Sequence, residues 1–226
     1  MRMNNPKTVV ICGKGELAIF ICQYFLNHKE YKISHVVADK FEPVSTDQTL
    51  IDFCYQNNIA VIEDNKVENL PGYENGDFTC DLCFVVFHKR ILPLKFINSC
   101  KKILNIHLSY LPKYRGVRPV NWALKNGDQS HGVTIHEINE GIDAGPIVNQ
   151  ISFSIYPEFE EVIDTYTRAI RYARQLFLDT MLILEKITPR PQIDSEATIY
   201  YEKDNHSLEE RMTFTKQASL ELLNKA

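Results

Sequence analysis

The sequence predicts an α/β fold built on a mostly parallel sheet, and two observations support this. Five short apolar segments are separated by stretches with helical periodicity, an alternation typical of parallel sheets covered by helices. The fourth segment, "LCFVVF" at 82–87, is continuously apolar, as expected for a central strand buried on both faces. The sequence therefore predicts a three-layer sandwich.

The individual elements follow from these patterns. The predicted strands cover 8–12, 33–38, 59–62, 82–87 and 102–107, and the predicted helices cover 16–27, 48–57 and 93–100. After His107 we expect a long loop, a short helix at 121–125, strands in "GVTIHEI" and "GPIVNQISFSI", and a long helix from Glu158 to about Ile187. The prolines of "TPRPQ" end that helix. A strand in "ATIYYEKDN" and a closing helical stretch complete the chain.

This layout predicts a main domain over 1–187 and a C-terminal extension over 188–226, which packs on the sheet edge or on a second subunit. The net charge of −4 over 226 residues provides no basic field, so no nucleic-acid partner is expected. No apolar run approaches the roughly 20 residues that span a bilayer, so we expect a cytoplasmic protein without a membrane partner.

The cysteines suggest neither a metal nor a redox centre. Only Cys80 and Cys83, in "CDLC", have metal-ligand spacing, and no second pair completes a zinc site. We interpret both as core residues and predict no metal.

A glycine turn follows the first strand. Gly13 to Ala18, "GKGELA", fits the G-x-G-x-x-G/A pattern of dinucleotide-binding folds, and Asp39 ends the second strand, where such folds place a ribose-binding acid. One interpretation is an NAD-binding Rossmann enzyme. The other is a Rossmann-like fold that performs different chemistry with residues elsewhere.

The densest polar cluster lies further along, in "NIHLSYLPKYRG" (105–116). Asn105 and His107 alternate on one strand, so both side chains point to the same face, at the carboxyl end where α/β sheets bind ligands. An amide can hold an oxyanion while an imidazole moves a proton, as acyl-group chemistry requires. Asp143, in "GIDAG", can orient such a histidine. A turn-capping Asn, a core His and a turn Asp are equally good interpretations of each residue alone.

Together these motifs resemble the formyltetrahydrofolate-dependent formyltransferases. The family pattern N-x-H-x-S-x-L-P-x-x-x-G matches 105–116 and the G-x-D-x-G segment matches 141–145, while Leu108 departs from the proline that many members have. The resemblance covers about residues 7–187 and implies the formyltransferase fold, with Asn105, His107 and Asp143 as the catalytic trio of that domain. It also implies N10-formyltetrahydrofolate as co-substrate.

The resemblance further implies a mechanism and a folate site. A substrate amine attacks the formyl carbon, Asn105 and protonated His107 stabilise the oxyanion, and Asp143 sustains the histidine charge and helps to take the amine proton. The pterin is expected against Arg90, Ile91 and Leu92, and against Asn139, Glu140, Gly141 and Ile142. The glycine turn then holds no dinucleotide. It either lets Lys14 face an anionic part of the substrate or simply packs closely.

The segment "RGVRPVNWALKNGD" is similar to the sugar- and tRNA-acting branches of that family. The acidic charge and the short stretch after the long helix favour the sugar branch. We therefore expect a dTDP-linked amino sugar, such as dTDP-4-amino-4,6-dideoxyglucose, used for surface polysaccharide (O-antigen) synthesis. Lys113, Tyr114 and Arg115 are candidate contacts to the nucleotide, and a homodimer is expected. The alternative within the family is a phosphoribosylglycinamide formyltransferase.

Overall fold

A computed structural model describes residues 5–40 and 48–208. Within it the chain forms two compact units that divide between Ile106 and His107. The predicted closing helix at the C-terminus lies outside the described residues. The predicted division at 187/188 stays a prediction.

The first unit contains a parallel sheet with strand order β3-β2-β1-β4-β5. Its elements in chain order are β1 (Lys7–Gly13), α1 (Gly15–Leu26), β2 (Tyr31–Ala38), α2 (Leu50–Gln56), β3 (Val61–Ile62), β4 (Leu82–Val86), α3 (Leu94–Ser99) and β5 (Ile103–His107). Every residue of β4 is buried, as its apolar sequence predicts. The prediction of an α/β fold with a mostly parallel sheet is confirmed.

Local chemistry sets the ends of the elements. Helix α2 begins after Thr49, whose hydroxyl accepts a hydrogen bond from the Asp52 N–H at 3.1 Å. At the end of β1, a Cβ on Gly13 would collide with the Val86 carbonyl oxygen, so only glycine fits there. The first glycine of the "GKGELA" turn is therefore required by the close approach of β1 to β4.

The second unit is built on an antiparallel strand pair and a long helix. Its elements are β6 (Arg115–Gly116), α4 (Pro119–Lys125), β7 (Ser130–Glu137), β8 (Ile147–Ser154), α5 (Val162–Ile183) and β9 (Ile199–Tyr200), with short 3-10 helices at Asp194–Glu196 and Glu202–Ser207. Strands β7 and β8 pair antiparallel and α5 packs against both. The parallel pair β6–β9 joins the loop after β5 to the segment after α5.

Several predicted elements are shorter than expected, and two of them have a clear physical reason. Helix α5 begins at Val162 rather than Glu158, because Glu161 and Asp164 form a reciprocal cap while 156–160 form a turn. The predicted strand in "ATIYYEKDN" is reduced to Ile199 and Tyr200, since its partner β6 has only two residues. The interpretation of Cys80 and Cys83 as core residues is confirmed, because both side chains are buried.

Candidate active site

His107 is the last residue of β5, and its ring is buried in the second unit. The loop that follows turns back over it, so Nε2 donates a hydrogen bond to the Tyr114 carbonyl oxygen at 2.7 Å. Tyr114 has the left-handed backbone (φ 62°) that this turn requires, and the Thr198 hydroxyl accepts its N–H at 2.8 Å. The imidazole is therefore fixed from one side by main chain.

Asp143 fixes the other side of the imidazole. It lies between β7 and β8 with a left-handed backbone (φ 47°), an unusual conformation for a side-chain-bearing residue that often marks functional sites. Its Oδ2 lies 3.5 Å from His107 Nδ1 and accepts a hydrogen bond from the Gly116 N–H at 2.8 Å. Each ring nitrogen of His107 thus faces an oxygen acceptor.

The electrostatics of the site keep Asp143 ionised. Burial alone would raise the pKa of the Asp143 carboxyl, but the charge of His107, the contact with His136 and the Gly116 N–H outweigh it and lower that pKa below its usual range. A carboxylate with a lowered pKa is a weak base and accepts a proton poorly at neutral pH. Such a carboxylate can orient the His107 imidazole and stabilise a positive charge on it.

His136 is a site residue that the sequence analysis did not select. It lies on β7, where its Nε2 is 3.4 Å from Asp143 Oδ1 and its Nδ1 donates to the Glu137 carbonyl oxygen at 2.9 Å. Asp143 is thus flanked by two buried histidines. The alternation of "GVTIHEI" placed His136 on a face of β7, but nothing in the sequence showed which face met Asp143.

Asn105 lies two residues before His107 on β5 and pairs in register with Val85 of β4. Strand alternation gives it the same facing as His107. The structure brings His107 and Asp143 together. The catalytic role of Asn105 stays a prediction.

Apart from Leu92, the residues predicted to hold the folate are exposed, each within its own unit. Arg90 and Ile91 follow β4, with Ile91 88 % exposed, while the neighbouring Leu92 is buried. In the second unit, Asn139, Glu140, Gly141 and Ile142 form an exposed turn in which Asn139 Oδ1 accepts the Gly141 N–H at 3.0 Å. Folate contacts by the residues of either segment stay predictions.

The residues predicted to contact the nucleotide fall into two groups. Lys14, before α1, is half-buried and Lys113 is exposed. Tyr114 is buried, and its hydroxyl donates to Asp128 at 2.8 Å. Arg115 is also buried, with its guanidinium on Gln192 and Asp194. Substrate contacts by these residues stay predictions, and the last two already hold the loop together.

Comparison with known proteins gives the family. The profile described as "Formyl transferase" matches residues 48–181. The chain belongs to the formyl transferase family. Among curated relatives, the methionyl-tRNA formyltransferase of Enterococcus faecalis is 30% identical over 177 residues, which are 74% of this chain and 56% of that protein. The chain thus spans little more than half the length of that relative.

Solved structures of the family share the fold. An N-formyltransferase from Helicobacter canadensis, in complex with folinic acid and dTDP-3-aminofucose, superposes with a TM-score of 0.73 at 26% identity, covering 88% of this chain and 72% of that one. Phosphoribosylglycinamide formyltransferase from Bacillus halodurans gives 0.65 at 22% identity, covering 80% and 96%, which shows the fold alone.

Family membership favours the second interpretation of the glycine turn, a Rossmann-like fold with its chemistry elsewhere. The feature that suggested a ribose-binding acid has another explanation, since Asp39 forms an ion pair with Lys89 at 3.0 Å in this formyl transferase. No helix of 5–40 and 48–208 is long and apolar enough to cross a membrane. Over the same residues, no group of three or more His, Cys, Asp or Glu side chains could hold a metal ion.

Proposed function

We propose that this formyl transferase moves a formyl group from N10-formyltetrahydrofolate to the amine of a dTDP-linked amino sugar. The observation that carries the proposal is His107 held between the Tyr114 carbonyl and the Asp143 carboxylate, next to Asn105 on the same strand. This arrangement supplies an imidazole paired with a carboxylate, beside an amide donor, which is what formyl transfer to an amine needs.

The folate, when bound, supplies the formyl carbon. The substrate amine forms a new C–N bond to that carbon, the bond to folate N10 breaks, and the proton lost by the amine passes to N10. The side-chain amide of Asn105 donates a hydrogen bond to the carbonyl oxygen as negative charge develops on it, and the positive charge of His107 stabilises that oxygen through space. Asp143 stays ionised and sustains the positive charge of His107, which orients the ring for proton transfer.

The choice of amine rests on the structural relatives and on charge. The Helicobacter canadensis enzyme was crystallised with dTDP-3-aminofucose, and the present chain is net acidic, which does not favour a polyanion such as tRNA. We propose dTDP-4-amino-4,6-dideoxyglucose or a close relative, destined for a surface polysaccharide such as O-antigen. A homodimer is part of the same proposal.

One observation favours a second candidate. The curated relatives with about a third identity are methionyl-tRNA formyltransferases, so initiator methionyl-tRNA is the competing substrate. The discriminating experiment incubates the protein with N10-formyltetrahydrofolate and one amine at a time: dTDP-4-amino-4,6-dideoxyglucose, methionyl-tRNA or glycinamide ribonucleotide. We expect tetrahydrofolate release with the dTDP-sugar only, and release with methionyl-tRNA alone would replace the sugar proposal.

A further inference from the structure

The side-chain amide of Gln192 connects the two parts of the second unit that hold His107. Its Nε2 donates to the main-chain carbonyls of Asp143 at 2.7 Å and Gly145 at 2.8 Å. Its Oε1 accepts two hydrogen bonds from the Arg115 guanidinium, at 3.0 Å from Nε and 2.8 Å from Nη2. Both donors and both lone pairs of the amide are therefore engaged within the protein.

The position of Gln192 follows from main-chain pairing. Arg190 and Ile147 exchange both main-chain hydrogen bonds in an antiparallel bridge, so Gln192 falls opposite Gly145. At Gly145 a Cβ would collide with the Glu137 carbonyl oxygen, so the main chain there is pressed against β7. The pairing ends at that point, and the Gln192 side chain supplies the hydrogen bonds that the ladder no longer makes.

The Nε2 group of Gln192 holds the turn that contains Asp143. Asp143 has a left-handed backbone (φ 47°), a conformation that is uncommon for side-chain-bearing residues and that hydrogen bonds to the turn help to hold. Gln192 binds the carbonyl of Asp143 itself and that of Gly145, two residues later. It therefore restrains the turn from which the carboxylate reaches His107.

The Oε1 atom of Gln192 holds Arg115, in the loop that faces Asp143. Arg115 stands between Tyr114, whose carbonyl accepts from His107, and Gly116, whose N–H donates to Asp143. Its guanidinium reaches the exposed Asp194 as well as Gln192. The Arg115 side chain is buried, so Gln192 provides the acceptor that this cation needs inside the protein.

We infer that Gln192 is a positioning residue that sets the distance between the Asp143 carboxylate and the His107 imidazole. The inference rests on the proposed function for its kinetic consequences, but its geometric content does not. Only an amide serves both ends, because glutamate would present carboxylate oxygens to two carbonyls and leucine would bind neither end.

The test compares Gln192→Leu and Gln192→Glu with Gln175→Leu, a control at an exposed position of α5. With formyl donor and amine saturating, we expect kcat to fall about 10- to 100-fold in both Gln192 variants, with the KM for the amine unchanged within about twofold. In an Asp143→Asn background, Gln192→Leu should lower kcat no further, since Gln192 acts through Asp143. Additive losses, or an unchanged kcat, would overturn the inference.

A measurement without substrate separates this inference from the proposed function. Hydrogen exchange of the Gly116 N–H, followed by NMR, reports the bond to the Asp143 carboxylate directly. It should quicken at least about tenfold in Gln192→Leu and stay unchanged in Gln175→Leu. If the wild-type protein formylates none of the amines yet Gly116 exchanges faster, the proposed function fails and the positioning role stands. Equal exchange in both variants refutes the positioning role.

Discussion

Replacing Asp143 with Asn removes the charge that faces His107 and keeps the shape of the side chain. The carboxylate oxygen lies 3.5 Å from Nδ1, and at an effective dielectric constant of about 20 a pair of unit charges at that distance contributes about 5 kcal/mol. The amide oxygen of Asn still accepts the Gly116 N–H and retains part of this stabilisation. We therefore expect kcat to fall about 10²- to 10³-fold, which is within the range of acid–base catalysis.

The assay measures tetrahydrofolate release at saturating donor and amine, with the melting temperature recorded for each protein. Asp179→Asn, on the exposed side of α5, is the matched control and should keep wild-type kcat. The reasoning is refuted if Asp143→Asn, folded and binding folate normally, keeps more than about one third of wild-type kcat. The His107–Asp143 contact would then carry no catalytic charge.

Three further predictions concern stability and binding. Burial lowers the pKa of His131 to about 4, despite the hydrogen bond that its Nε2 donates to Leu108, so only the unfolded chain takes up that proton between about pH 6.5 and 4. The urea midpoint should fall over this window. Below it the midpoint should fall again as the lowered pKa of Asp143 is approached, and this second fall should be smaller in Asp143→Asn, where only other carboxyls with lowered pKa, such as Asp81, remain. Gly116→Ala should lower the melting temperature by several degrees, because its left-handed backbone (φ 87°) disfavours alanine and a Cβ collides with the Tyr200 carbonyl; wild-type stability would argue against the β6–β9 pairing. 5-Formyltetrahydrofolate and dTDP should each raise the melting temperature while NAD should not, and a rise with NAD alone would revive the dinucleotide interpretation of the glycine turn.

Much of the fold and part of the site could be predicted from local patterns. The strands of the first unit could be predicted because buried parallel strands are apolar throughout. The helices between them could be predicted because their apolar residues recur at helical spacing. His107 and Asp143 were selected because each sits in a motif of distinctive residue types. The structure brings the two residues together, with Asp143 Oδ2 3.5 Å from His107 Nδ1.

The contacts of Tyr114 and Arg115 could not be predicted, because their partners are distant in the sequence. In a proline-containing loop, Tyr114 and Arg115 had the residue types of a nucleotide site, yet the ring of Tyr114 stacks on Tyr200 and the guanidinium of Arg115 binds Gln192. Both partners lie more than 70 residues further along the chain. Periodicity carries no information about such pairs, because each depends on how the chain returns after α5.

The same return of the chain explains why the acid of this site is an aspartate in a turn rather than on a strand. On β7 or β8 its main-chain groups would be held by the ladder, and its side chain would be confined to one of the two faces. In the turn, the left-handed backbone lets the carboxylate meet His107, His136 and the Gly116 N–H together. The turn lacks the main-chain hydrogen bonds of a β-ladder. Gln192 replaces some of them by donating to the carbonyls of Asp143 and Gly145. Gln192, a residue far from the motif in sequence, is therefore expected to set the position of the carboxylate that faces His107.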